Sequence, residues 1–198
     1  MSIPETLTRQ HWNYFLALDD DVARLSRYLE LAQTNFASYS LELARILFTA
    51  ASEVDVVSKR LCRKLDENSK AYNITMYRDE ICPCYPQIID TRVEVPRFGL
   101  TLNPWEQWGR NESPLWWKAY SNVKHHRHTH FSDANLEHAL NAVAGLFVML
   151  LFLYRNEAEN AELDPDPTLF RAGSPFHVGR PFYDSPSHSR PLFYRLSD

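Results

Sequence analysis

The sequence predicts a mainly α-helical bundle carrying a small β-hairpin insertion and an irregular C-terminal arm. Three observations predict it. Leu43, Ile46, Leu47, Ala50, Val54, Val57 and Leu61 project onto one narrow stripe when wound as a helix, the mark of an element with a single face in a core. The run over residues 142–154 is apolar all round, which a helix tolerates only when it is covered on every side. Only 5 glycines stand against 12 prolines, and six of those prolines follow Asp164, so regular elements come first and irregular chain later.

Taken in order, residues 5–33 read as a long helix, with Leu18, Val22, Leu25, Tyr28 and Leu29 recurring at spacings that suit one face. The polar break over 34–40 offers Ser38 or Ser40 as an N-cap for the stripe helix. Glu53 sits at the edge of that stripe. A shorter helix over about 74–89 is ended or interrupted by Pro83 and Pro86, since each proline removes a donor and disfavours helix before it. Residues 91–97 and 100–103 alternate enough to form a hairpin around Phe98 and Gly99, an insertion near 91–104. Pro114 suits the first turn of a helix running to about 131, and Ser132 can cap the next helix, over about 133–158. The expected organisation is a helical domain over 1–160 and a proline-rich arm over 161–198 that packs on the domain or on a partner subunit. The apolar run of 142–154 would rise about 20 Å, short of the roughly 30 Å of a bilayer's hydrocarbon core, so no membrane role is expected.

Composition narrows the function classes. A chain of 198 residues with 44% hydrophobic residues can bury its own core without disulfides or metal. A net charge of −4 means that any affinity for nucleic acid must come from a local basic surface. Three cysteines, Cys62, Cys82 and Cys84, with no apolar leader segment, favour a reducing compartment and a cytoplasmic protein. No glycine-rich phosphate loop and no serine in a nucleophile-elbow context occurs.

Chemistry-bearing side chains gather at WWKAYSNVKHHRHTH, residues 116–130. Five of the eight histidines, His125, His126, His128, His130 and His138, fall within fourteen residues, a density of groups that titrate near neutrality. On a helix, Trp116, Tyr120, Val123 and Phe131 share a face with Arg127 in its middle and His130 beside it. A guanidinium aimed at an apolar face needs a carboxylate or a phosphate. Arg127 is therefore expected to be buried against Glu53, with Asp55 as the other candidate, either as a tether between helices or as an active-site cation. The opposite face aligns Lys118, Asn122, His125 and Thr129, either a solvated surface or side chains converging on an anion; Lys118, Asn122 and Lys124 are the candidate substrate-binding residues. His126 and His130, with Asp133, have a spacing that could share a metal ion, but no third histidine completes a set, and Cys82-Pro-Cys84 lacks a paired second motif. No metal or other cofactor is expected. The arm interleaves aromatic residues and arginines from Phe170 to Arg195, which suits either anchoring to the domain or stacking on single-stranded RNA.

The strings YSLELARILFTAASEVDVVSKRLC and YSNVKHHR, the latter followed by the helix ALNAVAGLFVMLLFLY, resemble the HEPN superfamily of all-α domains over about residues 38–155. Many members of that superfamily are metal-independent endoribonucleases, often in stress or phage defence, and others are inactive helical modules for dimerisation or partner binding. The resemblance implies Arg127 as a phosphate clamp, His130 or His125 as the base that takes the 2′-hydroxyl proton, Glu53 as an orienting carboxylate, and a homodimer with two sites on a shared cleft. Ribonuclease members set their histidine further beyond the arginine; here two residues separate Arg127 from His130. The resemblance leaves two functions open, a ribonuclease and an inactive module that binds a protein partner.

Overall fold

The computed structural model describes residues 9–181 and 191–197. Residues 5–8 of the expected first helix, and Phe182, Tyr183 and Arg190 of the arm, lie outside the described residues.

Helix α1 spans Gln10–Leu25 and buries Trp12, Phe15, Leu18 and Val22. It stops well before residue 33. The Ser26 hydroxyl donates to the Ala23 carbonyl at 2.7 Å, and the amides of Arg27 and Tyr28 fold back onto Arg24 and Leu25 in a tight turn, leaving Tyr28 88% exposed. The stripe helix, α2, spans Leu41–Leu65, and all seven stripe positions are buried. Ser40 caps it as expected, accepting from the Leu43 amide at 3.1 Å. Helix α3, Ile74–Ile81, is capped by Asn73 and ends two residues before Pro83, the first of the two prolines expected to end it.

Strands β1, Val93–Val95, and β2, Leu100–Leu102, form the expected antiparallel hairpin. Its turn passes through Gly99 at φ +62°, a left-handed conformation that glycine adopts without a steric penalty. Val93, Val95, Leu100 and Leu102 face the core and the residues between them face solvent.

Helix α4, Leu115–His130, begins directly after Pro114 and is kinked at His126, whose φ of −136° and ψ of 41° are not helical. Residues Phe131–Asp133 make a single 3₁₀ turn, and the cap of the next helix is Asn135, not Ser132: its side chain accepts from the His138 amide at 3.0 Å. Helix α5, Leu136–Leu153, therefore starts later and ends earlier than expected, with a separate short α6 at Arg155–Glu159. With 18 residues, α5 is longer than the apolar run alone suggests, and by length and composition it could cross a membrane. Its apolar window is 83% buried inside the fold.

Helices α2 and α5 lie side by side at the centre, with α1, α3 and α4 packed around them. Beside Gly145 of α5, an added Cβ would sit 3.0 Å from the Trp116 ring, so glycine lets the indole seat against the helix. The Trp105 indole donates to the Gly145 carbonyl and the Trp116 indole to Pro104, which satisfies both buried N–H groups.

The C-terminal segment is irregular in sequence and held fast in space. Strand β3, Arg171–Ala172, pairs with the free edge of β1, giving the order β2-β1-β3, while β4, Phe176–Gly179, pairs antiparallel with β5, Phe193–Leu196. Asp19, 1% exposed on α1, accepts from the amides of Thr168, Leu169 and Phe170, and the Trp12 indole donates to Pro165. Phe170 and Tyr194 are fully buried; Phe15 and Phe147 stack at 4.9 Å, and Tyr194 meets Phe147 edge-on.

Candidate functional site at the end of α4

Buried Trp116, Ala119 and Val123 hold the first three turns of α4 against the bundle. Beyond them the kink at His126 frees the last turn from that face. Lys124, His125, His126, Arg127, His128 and Thr129 are all exposed.

The expectation that Arg127 is buried against Glu53 is not met. The Arg127 guanidinium lies 5.5 Å over the Phe48 ring of α2, exposed to solvent, with no carboxylate partner among the described residues. Glu53 is occupied elsewhere: its carboxylate meets His11 Nδ1 at 2.5 Å, and both side chains are 13% exposed. Arg60 lies 3.4 Å from His11 Nε2. Since a guanidinium only donates, Nε2 is the acceptor there and the proton sits on Nδ1, facing Glu53. Asp55, the other candidate partner for Arg127, takes the Tyr77 hydroxyl at 2.6 Å and Lys59.

The 3₁₀ turn after α4 brings a different carboxylate to the histidines. Asp133 Oδ2 accepts from Asn122 Nδ2 at 3.0 Å and faces His130 Nδ1 at 3.2 Å. The backbone carbonyl of Asp133 lies 2.8 Å from His138 Nδ1; a carbonyl can only accept, so His138 carries its proton on Nδ1. Asp133 is thus tied to α4 through two side chains and to α5 through its own backbone. His130 remains 44% exposed at the side chain, so its outer edge reaches solvent.

The other candidate residues do not converge. Lys118 pairs with Glu112 at 3.3 Å, Lys124 lies over Tyr120 and reaches its hydroxyl, and the Thr129 hydroxyl donates back to the His126 carbonyl. His125 stands with its ring centroid 6.4 Å from that of His126, which lies 6.3 Å from that of His130. Of the expected set, Asn122 and His130 meet, through Asp133. Among the described residues no three His, Cys, Asp or Glu side chains gather around a point that could hold a metal ion. Burial pushes the Cys62 thiol up to about 12 and the Cys82 thiol up to about 11, so both are protonated at neutral pH.

Asp133 was legible only as a possible metal carboxylate, although its place three residues after His130 would have allowed an orienting bond. His11, which engages Glu53, carries no sequence signal, because it meets Glu53 across the α1–α2 interface, and Arg60 of α2 lies against the same imidazole. Comparison with known proteins adds nothing to this geometry: no family model matches the chain, and neither the curated proteins nor the solved structures contain a match.

Proposed function

We propose that the chain acts on RNA as a metal-independent endoribonuclease of HEPN-like type, with the exposed end of α4 as its working surface. The observation that carries this reading is the Asp133 carboxylate shared by Asn122 and His130 at 3.0 and 3.2 Å, with the exposed Arg127 three residues before His130 in the same helix end. A carboxylate on Nδ1 orients the imidazole and holds the tautomer whose Nε2 lone pair is available to take a proton. At a phosphodiester, that proton is the one on the 2′-hydroxyl. The 2′ oxygen then attacks phosphorus, the P–O5′ bond breaks, the 5′ oxygen of the next nucleotide leaves with a proton taken from water, and a 2′,3′-cyclic phosphate remains. Arg127 is the cation that would meet the negative charge developing on the phosphoryl oxygens. Asp133 takes the orienting role first assigned to Glu53. The resemblance adds the expectation of a cytoplasmic homodimer in stress or phage defence.

One observation favours the second reading, an inactive HEPN-like module that dimerises or binds a protein partner. Arg127 rests on Phe48 and Glu53 on His11, so the four residues expected to act together are spread over separate faces.

Purified protein incubated with single-stranded RNA and a chelator separates the two. The ribonuclease reading expects fragments ending in cyclic phosphate, and His130→Ala should slow cutting by about a hundredfold or more. Asp133→Asn should lower the rate, whereas Glu53→Gln should leave it unchanged in a folded variant. Intact RNA across a broad panel, with wild-type circular dichroism, would leave the binding module standing.

A further inference from the structure

A second polar site lies away from the α4 end, where α1, the hairpin and the C-terminal segment meet. Arg24 lies in the last turn of α1 and Arg27 in the tight turn that follows it. Arg97 comes from the turn between β1 and β2, and Thr168 from the segment clamped onto Asp19. Together they line an open cleft of about 380 Å³.

The three arginines of this cleft differ from those held in ion pairs. Arg9, Arg45, Arg78, Arg155 and Arg180 each have a carboxylate within 3.2 Å. Among the described residues none of Arg24, Arg27 and Arg97 pairs with a carboxylate; Arg97 only lies over the Phe98 ring at 5.1 Å. Asp20 also lines the cleft and offsets one of the three charges. Three like charges directed at one space repel one another, and an anion between them removes that repulsion. Guanidinium forks suit the tetrahedral oxygens of a phosphoryl group, and the Thr168 hydroxyl adds a neutral donor. The cleft is also held in place, because Asp19 fixes Thr168 on α1 and the pairing of β3 with β1 ties the same segment to the hairpin that carries Arg97.

We propose that Arg24, Arg27 and Arg97 form a binding pocket for a phosphate group, carried either by a small phosphoryl compound or by a nucleic-acid backbone. This pocket does not depend on the ribonuclease reading. The test is calorimetric titration of the full chain at low salt with pyrophosphate, repeated in the presence of an oligouridylate twelve nucleotides long. Saturable pyrophosphate binding is expected to weaken about tenfold or more in Arg24→Gln/Arg97→Gln, and by less than about twofold in Arg63→Gln, an exposed arginine at the far end of α2. Suppression of that binding by the oligonucleotide assigns the pocket to nucleic-acid phosphate. Undiminished binding assigns it to a small phosphoryl compound, and either result upholds the pocket. No pyrophosphate binding by the wild type, or equal weakening in Arg63→Gln, overturns it, whatever the outcome of the cleavage assay.

Discussion

The C-terminal segment and the end of α4 reverse what their sequences suggest. The segment has six prolines and little periodicity, yet Phe170 and Tyr194 are fully buried and three of its amides close on one carboxylate. The end of α4 continues a helical pattern with an arginine on the apolar face, yet it is exposed and its arginine has no carboxylate partner among the described residues. The difference teaches that burial follows from where a chain is anchored. Periodicity reports the face of an element only while its backbone stays regular, and at His126 it does not.

The comparison breaks most readily at Phe170. If the segment is part of the core, Phe170→Ala removes a fully buried ring from contact with Phe15 and should destabilise by about 3 to 5 kcal/mol. Denaturant unfolding measures this, and a change under about 1 kcal/mol would mean that the segment is only draped on the surface.

A smaller effect is expected at the clamp. Asp19→Asn replaces one acceptor oxygen by a donor that faces amide N–H groups, and should cost about 1 to 3 kcal/mol. Limited proteolysis should then cut within residues 164–180 sooner than in the wild type. The loss should also depend on pH. Burial raises the Asp19 carboxyl above its ordinary value, against the pull of the three amides. A carboxyl raised in the folded state contributes stability that is fully present below its unfolded value of about 3.9 and is lost as pH rises through its folded value. The advantage of the wild type over Asp19→Asn should therefore shrink as pH rises above the unfolded value of about 3.9. An advantage that grows over that range would show that the amide bonds outweigh burial.

The bundle was readable because its signals are local and repeated. The stripe from Leu43 to Leu61, the Ser40 cap and the turn at Gly99 each state in a few residues which backbone they prefer, and the structure follows them. The helix ends were harder: α1 stops at Leu25 through a serine back-bond, and α5 is capped by Asn135 because the 3₁₀ turn consumes Ser132. The candidate site was half legible. The histidine cluster is visible in the sequence, but which carboxylate meets which histidine depends on a kink and on the α1–α2 interface. His11 is 42 residues from Glu53, so no spacing rule could join them. The arginine cleft was hidden for the same reason, since it is assembled from the end of α1, the hairpin turn and Thr168.

The smallest expected effects concern Glu53 and Arg127 and sharpen the comparison from its exposed side. His11 and Glu53 touch in a mostly buried pair, so a double-mutant cycle between His11→Gln and Glu53→Gln should give a coupling on the order of 1 kcal/mol. Arg127 and Glu53 have separate partners, so the cycle between Arg127→Met and Glu53→Gln should be additive to within about 0.5 kcal/mol. Arg127→Ala by itself should change stability by about 0.5 kcal/mol or less, because the guanidinium is exposed and loses only a ring contact with Phe48. A coupling above about 1 kcal/mol between Arg127 and Glu53 would mean that α4 straightens at His126 in solution and turns its arginine into the bundle. If Arg127→Ala leaves the fold intact, its effect on RNA can be read without correction for lost structure, which makes this substitution the cleanest separation of surface chemistry from packing in the chain.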